Sequence, residues 1–295
     1  MYVNPQTANI RKLPPTVCSD PQQPGDIDFP KIRIISLRQA TERRERVAAQ
    51  LNRLDLAFEF LDAVEASTLT PASSTLYNGR KRRILAGKDL YPGELACLLS
   101  HKKVLEEVAA DNQPWIILED DALISIDWPE IVRRLLVIPQ TWELVRFFGD
   151  LKHETRKQRK LLPLGGPYWL TRLATTPGEA HAYLISPSGA RKLLACLHSV
   201  AEPIDMLMGR PWQTGLDPLS VLPGLVSQDK RLESDIGDIR FEKKVQVHGV
   251  ERVAHAIVKP SIHFIRNILK RSFYYYYFVP DYLRKKEYSK QKSVP

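Results

Sequence analysis

The sequence predicts an α/β fold with a mostly parallel central sheet. Short apolar runs typical of buried strands alternate along the chain with segments whose apolar residues recur at helical spacing. The chain has 295 residues, of which 43% are hydrophobic and 26% are charged. These values are typical of a soluble globular protein, and no segment approaches the roughly 20 apolar residues that cross a bilayer.

The first part of the chain predicts two strands joined by a helix. Residues 31–37 are mostly apolar and predict a buried strand. Thr41 begins a segment with apolar residues on one helical face, and residues 58–64 predict a second strand. The polar stretch 66–90 predicts a long loop.

The middle of the chain continues the alternation. A helix is predicted from Gly93 to Ala110, followed by an apolar strand at 115–118. Asp127 is a candidate N-cap of the next helix, because Glu130 follows it three residues later. Residues 143–148 predict a further strand.

The remaining elements define three regions of the chain. Residues 152–160 are basic and predict a surface loop, whereas 180–185 predict a strand and 187–197 a helix. Residues 1–30 are rich in proline and predict an irregular lead-in. We therefore expect a lead-in at 1–30, a main α/β domain at 31–258 and a basic, aromatic, helical C-terminal extension at 259–295.

Three consecutive carboxylates, Glu119, Asp120 and Asp121, directly follow the apolar strand 115–118. Side chains alternate along an extended chain, so Glu119 and Asp121 share one side and Asp120 faces the other. Oxygen ligands of this kind suit Mg²⁺ or Mn²⁺ together with a substrate phosphate. We expect Asp120 to anchor the loop through backbone hydrogen bonds. The simpler alternative is a solvated acidic turn.

The helix at 93–110 places Glu94, Cys97 and His101 on one face. Glu94 lies in the first turn, where a carboxylate is favoured by the helix dipole whatever its function. Taken alone, His101 is more often a hydrogen-bonded structural histidine than a ligand. The spacing matches no recognised metal motif.

Five short blocks occur along the chain in a fixed order. They are Ile34–Arg38 with Arg43 and Arg44, Gly93–His101, Ile117–Ala122, Ala182–Ser186 with Gly189, Ala190, Leu193 and Leu194, and Pro203–Asp205. In this order they resemble glycosyltransferase family 25, which contains bacterial lipooligosaccharide galactosyltransferases and collagen galactosyltransferases. The resemblance covers residues 31–236.

The resemblance implies a nucleotide-sugar-binding fold of the GT-A type and an inverting transfer of a hexose. The donor is expected to be UDP-galactose and the acceptor a lipooligosaccharide or lipopolysaccharide. Glu119 and Asp121 match the metal motif of the family and imply Mn²⁺ or Mg²⁺ as the cofactor. Ser36 and Arg38 match a block near the nucleotide, and His101 is included among the donor-binding residues.

Inversion by a single displacement requires one general base. The candidates are Asp205, Glu94 and Asp150, and Asp205 is preferred because Pro203–Asp205 matches a motif of the family. The alternative for Asp205 is a helix cap or a loop salt bridge. His181 and His248 are further possible metal ligands, although each is more often structural.

The C-terminal extension carries most of the excess positive charge. Residues 259–295 contain nine Lys or Arg and two acidic residues, a net of 9 − 2 = +7, whereas the whole chain carries +9. Apolar residues at helical spacing and aromatic residues accompany this charge, which predicts binding to an anionic membrane surface. The alternatives are a packed C-terminal helix and, third, RNA binding, although no nucleic acid is expected as a partner.

No signal peptide is recognisable, and three scattered cysteines fit a reducing compartment. We therefore expect a cytoplasmic protein attached peripherally to the inner face of the cytoplasmic membrane. The partners expected are a nucleotide sugar and a lipid-linked saccharide. Two other functions remain as alternatives: a metal-dependent phosphohydrolase, and a non-catalytic sugar- or membrane-binding protein that keeps the fold.

Overall fold

The computed structural model describes residues 28–69, 74–138, 142–148, 157–175, 178–229 and 247–292. The predicted lead-in at 1–30 therefore lies outside the described residues except for its last three. Asp150, one of the three candidate bases, also lies outside them.

An eight-stranded sheet forms the centre of the protein, in the order β2-β1-β3-β8-β5-β9-β7-β6. Its strands are β1 (Lys31–Ser36), β2 (Glu59–Asp62), β3 (Trp115–Glu119), β5 (Leu144–Arg146), β6 (Gln158–Gly165), β7 (Tyr168–Leu173), β8 (Ala182–Ile185) and β9 (Pro218–Leu222). A separate antiparallel pair joins β4 (Ala122–Ile124) to β10 (Val226–Gln228). Six of the eight strands run in one direction, and β7 and β8 run in the other.

Nine helices within the described residues surround this sheet. They are α1 (Thr41–Arg53), α2 (Gly79–Ala86), α3 (Pro92–Asp111), α4 (Trp128–Val137), α5 (Pro187–Ala195), α6 (Ile204–Met208), α7 (Pro211–Thr214), α8 (Gly249–Tyr276) and α9 (Phe278–Lys292). A 3₁₀ turn spans Ala66–Thr68. The predicted α/β fold with a mostly parallel sheet and a helical C-terminal extension is confirmed, and it is consistent with the GT-A-like fold that the resemblance implies.

The strands at the centre of the sheet are apolar on both faces because helices cover both. Ile34 and Leu118 belong to the core cluster that also contains residues of α1 and α4. Ile35 and Ile117, one position away on the same strands, belong to the cluster that contains residues of α3 and α5. This alternation gives two cores, one on each side of the sheet.

The prediction of a loop over 66–90 was wrong for its second half, which contains α2. The side chain of Asn78 caps this helix by accepting from Lys81 N at 3.0 Å. Gly87 ends it with a φ of 73°, a conformation that glycine adopts without strain. The basic residues that suggested a solvated loop form ion pairs instead, since Arg82 and Arg83 contact Glu202 and Glu251 respectively.

The prediction of a surface loop over 152–160 was wrong at its end, because residues 158–160 begin β6. The pairing of β6 with β7 shifts register twice, between Lys160 and Leu162 and between Pro163 and Gly165. Such irregularities interrupt the simple alternation by which strands are recognised in a sequence.

The C-terminal helices are fastened to the sheet by a buried carboxylate. Asp281 of α9 is fully buried, and its two oxygens accept from Nε and Nη2 of Arg172 on β7, each at 2.8 Å. Arg159 of β6 and Arg284 of α9 also contact it. The ring of Tyr277 lies 4.0 Å from the guanidinium carbon of Arg172.

The helical extension begins earlier than the predicted boundary at 259, since α8 starts at Gly249. One continuous helix therefore crosses from the predicted main α/β domain into the predicted extension. Among the described residues, no helix combines the length and the apolar character that crossing a bilayer requires.

Asp281→Asn is expected to destabilise the protein by about 3–5 kcal/mol, because it leaves the buried guanidinium group of Arg172 and the partly buried ones of Arg159 and Arg284 without their shared anion. Glu287→Gln removes the same charge from an exposed position of α9 and should change stability by less than about 0.5 kcal/mol. Urea unfolding followed by circular dichroism measures both. Equal effects of the two substitutions would show that the Asp281 contact does not hold the helix.

Candidate functional site

The carboxyl ends of β1, β2 and β3 meet at one edge of the sheet because these strands are parallel neighbours. The carboxylate run begins at this edge with Glu119, the last residue of β3. The antiparallel strand β8 begins beside it, and Glu119 N donates to His181 O at 2.8 Å. In open α/β sheets this edge is the usual place for a ligand.

Asp120 is buried and fixes the end of β3 to β1 and α1. One carboxylate oxygen accepts from the hydroxyl of Ser36 at 2.6 Å, and the other contacts Arg43 Nη1 at 3.1 Å. Asp120 thus anchors the chain through side chains rather than through the backbone hydrogen bonds we expected. Burial raises the pKa of its carboxyl, while Ser36 and Arg43 act in the opposite direction.

Asp121 lies beside this anchor, and its two carboxylate oxygens differ in their hydrogen bonds. Its Oδ2 accepts from Gln228 Nε2 at 3.1 Å. Its Oδ1 is buried, and no group in the described part of the chain donates to it. Burial, followed by the charges of Glu119 and Asp120, raises the pKa of the Asp121 carboxyl from 3.8 to about 7.

A cleft of about 270 Å³ opens next to Asp120 and Asp121. It combines acidic and basic groups, and its polar lining consists of Arg46, Gln50, Arg53, Asp120, Asp121 and Asp229. Asp229 is buried, and its backbone N–H donates to Asp121 O at 2.8 Å. The sequence analysis missed Asp229, which directly follows the polar residues Ser227 and Gln228 of β10 and therefore lacks the apolar run that marks Glu119.

Glu119 is held by a chain of buried hydrogen bonds and does not line this cleft. Its Oε1 lies 3.3 Å from His101 Nε2, and His101 Nδ1 lies 2.8 Å from the hydroxyl of Tyr183. Because a carboxylate only accepts, Nε2 donates to Glu119, and the neutral ring then accepts from Tyr183 at Nδ1. Burial, reinforced by the charge of Glu119, raises the pKa of Tyr183 and keeps its hydroxyl protonated.

Cys97 completes a group with His101 and Glu119. One potential ligand atom from each residue lies within 4.8 Å of the other two. It is the only group of three such side chains found among the described residues, and Asp121 is not part of it. A thiolate, an imidazole and a carboxylate suit a transition metal better than Mg²⁺.

Two predicted residues lie away from these contacts. Arg38 is exposed in the turn after β1, and Arg43 occupies the place beside Asp120 instead. Glu94 accepts from Tyr91 N at 2.9 Å and so caps the start of α3. This contact is the one that the simpler interpretation of Glu94 predicts.

Asp205 lies in the first turn of α6, next to a buried arginine. Arg146 Nη2 donates to the backbone oxygen of Asp205 at 3.0 Å, and Asp205 Oδ1 accepts from Met206 N at 2.7 Å. Complete burial lowers the pKa of Arg146 to about 10. Arg146 lies opposite Tyr183 in the pairing of β5 with β8, so the residue that holds Asp205 neighbours the residue that holds His101.

Arg146 is a second residue that the sequence analysis missed. Its signal was a lone charge inside the otherwise apolar run 144–148. A fully buried arginine in a strand is rare unless it has anionic neighbours or a functional role. Here the neighbouring negative charges come from Asp205 and Glu179.

The two other histidines considered as metal ligands, His181 and His248, lie outside the group of Cys97, His101 and Glu119. His181 Nε2 donates to Val226 O at 3.0 Å, and its Nδ1 is buried without a hydrogen-bond partner among the described residues. His248 is exposed and directly precedes α8.

Comparison with known proteins agrees with this arrangement. The model of the family described as glycosyltransferase family 25 (LPS biosynthesis protein) matches residues 29–208, which is more than half of the chain. The match includes β1, α3 and β3 and therefore both Ser36 and the carboxylate run.

Three relatives illustrate the range of similar proteins. The lipooligosaccharide biosynthesis protein lic2B of Haemophilus influenzae is 26% identical over 77% of this chain and 84% of its own length. Procollagen galactosyltransferase 1-B of Xenopus laevis is 29% identical over 63% of this chain but only 30% of its own length. A rat protein named probable inactive glycosyltransferase 25 family member 3 is 27% identical over 72% of this chain and 40% of its own.

The chain thus spans less than half the length of the two animal relatives and most of the bacterial one. All three names refer to glycosyl transfer or to lipooligosaccharide biosynthesis, although one of them is marked inactive. Together with the family match over 29–208, these similarities establish that the chain belongs to glycosyltransferase family 25.

Proposed function

We propose that this chain is an inverting glycosyltransferase that moves galactose from UDP-galactose to a lipooligosaccharide or lipopolysaccharide acceptor. The observation that carries the proposal is the group of carboxylates at the carboxyl edge of the parallel strands, with the cleft of about 270 Å³ beside it. The names of the relatives in Haemophilus influenzae and Xenopus laevis support the acceptor and the sugar respectively.

The residues at this edge fit a divalent cation. Asp121 has a buried oxygen without a donor among the described residues, and burial together with like charges raises its pKa, so a cation would relieve both conditions. Glu119 and Asp121 are the proposed ligands of Mn²⁺ or Mg²⁺. When bound, such a cation supplies charge neutralisation of the leaving diphosphate. Arg46 and Arg53 bring further positive charge to the same cleft.

Other residues orient these groups. Ser36 and Arg43 hold Asp120, and His101 with Tyr183 holds Glu119, so the carboxylates are positioned before a donor arrives. Preorganised charge of this kind is the main way in which proteins stabilise a developing leaving group. His101 thus has a positioning role in the proposal.

Asp205 is the proposed general base. It would accept the proton of the acceptor hydroxyl while that oxygen bonds to the anomeric carbon and the bond to UDP breaks, which inverts the configuration. Arg146 holds the backbone of this residue and supports its position. Glu94 is the second candidate, and its capping contact with Tyr91 N makes it the weaker one.

We extend the proposal to location and partners. A cytoplasmic enzyme that acts on a lipid-linked saccharide would benefit from peripheral attachment to an anionic membrane through residues 259–295, whose net charge is 9 − 2 = +7. Nucleic acid is not expected as a partner.

A ligand-observed NMR screen of nucleotide sugars, with and without Mn²⁺, tests the donor site. UDP-galactose is expected to bind selectively and only with the metal, and Asp121→Asn is expected to abolish this binding because it removes a proposed ligand. Glu45→Gln, an exposed substitution elsewhere on α1, is the control and should bind normally. Binding that is independent of metal would remove Glu119 and Asp121 from the proposed role.

The metal-free protein should show a pH dependence caused by Asp121. Because the pKa is raised from 3.8 to about 7 in the folded state, the unfolded state releases its proton first and stability falls as pH rises through this window. Asp121→Asn removes this loss. We therefore subtract the free energy of unfolding of the wild type from that of the variant. This difference should increase as the pH rises from 3.8 to about 7, and it should be constant above that range.

Urea unfolding in EDTA, at pH values below, within and above the window, measures this difference. A constant difference at every pH would show that the Asp121 carboxyl is not perturbed.

Asp205→Asn should lower kcat for galactosyl transfer by about 10²–10⁴-fold while leaving UDP-galactose affinity unchanged, as expected for loss of a general base. Glu94→Gln should instead reduce stability by roughly 1 kcal/mol, through its cap, and leave kcat largely intact. Steady-state kinetics with a lipooligosaccharide acceptor compares them. A loss of kcat in Glu94→Gln alone would assign the base to Glu94.

A further inference from the structure

The outward side of the two C-terminal helices is unusually apolar. Sixteen large hydrophobic side chains among the described residues are exposed, and twelve of them belong to α8 and α9. Their exposed fractions range from 46 to 83%. Scattered exposed hydrophobic residues are normal in soluble proteins, but a concentration on one surface marks a site of interaction.

These side chains follow helical periodicity along α8. Successive members are three, four or seven residues apart, so they form one stripe: Val250, Val253, Ile257, Phe264, Ile268 and Tyr275. Val279, Tyr282 and Leu283 continue an exposed apolar face on α9. We call these nine residues the outward face.

The opposite side of the same helices is attached to the domain. Arg266 contacts the buried Glu202 at 2.6 Å, and Phe273 packs against Trp212 with ring centroids 6.1 Å apart. The tyrosine run divides between the two sides, since Tyr274 is 7% exposed and Tyr275 is 57% exposed. Tyr275 lies at the border between the two sides, since its hydroxyl accepts from Lys157 Nζ at 2.9 Å. The other eight residues of the outward face lie on the exposed side of the helices, away from these contacts.

The outward face carries positive charge. Arg271 lies between Ile268 and Tyr275 in the stripe, and Lys286 follows Tyr282 by four residues on α9. Both side chains are exposed. Aliphatic residues that insert, aromatic residues at the boundary and adjacent basic residues are the combination that binds an anionic lipid surface.

We infer that the outward face binds the surface of an anionic bilayer and holds the catalytic domain there. This inference deepens the proposed function and rests on it, because the lipid-linked acceptor supplies the reason for attachment. It differs from the expectation drawn from the sequence, since the surface begins at Val250 rather than at 259. Ile262, Leu269 and Phe273 are half-buried and lie outside it.

A second copy of the chain is a less suitable occupant. A symmetric dimer through this face would bring Arg271 and Lys286 of both copies into the same interface, and like charges there are unfavourable. An anionic headgroup layer, in contrast, is complementary to both residues.

Co-sedimentation of the full chain with vesicles tests the inference. Vesicles of phosphatidylcholine with phosphatidylglycerol should bind the protein, and vesicles of phosphatidylcholine alone should bind it more weakly. The double substitution Ile257→Ser with Phe264→Ser should lower binding to the anionic vesicles by at least about tenfold, because two inserted apolar side chains are lost. Ile126→Ser with Val137→Ser removes two exposed apolar side chains elsewhere and should not change binding.

Two results would overturn the inference. One is unchanged vesicle binding by the Ile257→Ser and Phe264→Ser protein. The other is a dimer of the wild type, seen by analytical ultracentrifugation, that the same double substitution abolishes while neither protein binds vesicles. UDP-galactose binding by NMR is measured in parallel, so that loss of the donor site and loss of the membrane surface are separate outcomes.

Discussion

The contact of Asp120 with Ser36 and Arg43 fixes the end of β3 against β1 and α1, and the acidic edge is arranged around it. This contact stabilises the negative charge of Asp120, which is one of three consecutive carboxylates. Glu119 and Asp121 then remain close enough that the charge of Glu119 adds to the effect of burial in raising the pKa of Asp121. The anchor thus has a cost, since it keeps Asp121 beside two other carboxylates with one buried oxygen to which no group in the described part of the chain donates. A site that binds a cation requires this condition.

Elements that satisfy local rules were predictable from the sequence. The run 115–118 is apolar at every position because both faces of this central strand are covered, and the run 31–37 is apolar at four of its seven positions. β6 and β7 were missed because they form an irregular antiparallel pair at one edge of the sheet, with two register shifts. α2 was missed because its arginines are paired with acids distant in sequence, which a local pattern does not reveal.

The residues of the candidate site also divide into those that a local sequence pattern reveals and those that it does not. Glu119, Asp120 and Asp121 were found because they are consecutive and follow a strand. Asp229 lies more than a hundred residues later and reaches the cleft through the pairing of β10 with β4. The pairing partner of Arg146 on β8 is likewise fixed by tertiary structure alone. Sequence patterns locate residues that a single element places, whereas residues brought together by pairing need the fold.

The C-terminal helices are also connected to the segment that carries the candidate base. Glu202 is buried and contacts Arg82 of α2, Arg210 before α7 and Arg266 of α8, at 3.1, 2.8 and 2.6 Å. Three guanidinium groups around one carboxylate repel one another, and burial together with this repulsion lowers the pKa of Arg266. Asp205 follows Glu202 by three positions, with only Pro203 and Ile204 between them. Because α8 contributes one of the three cations, a change in how this helix is held would alter the charge balance that keeps the start of α6 in place.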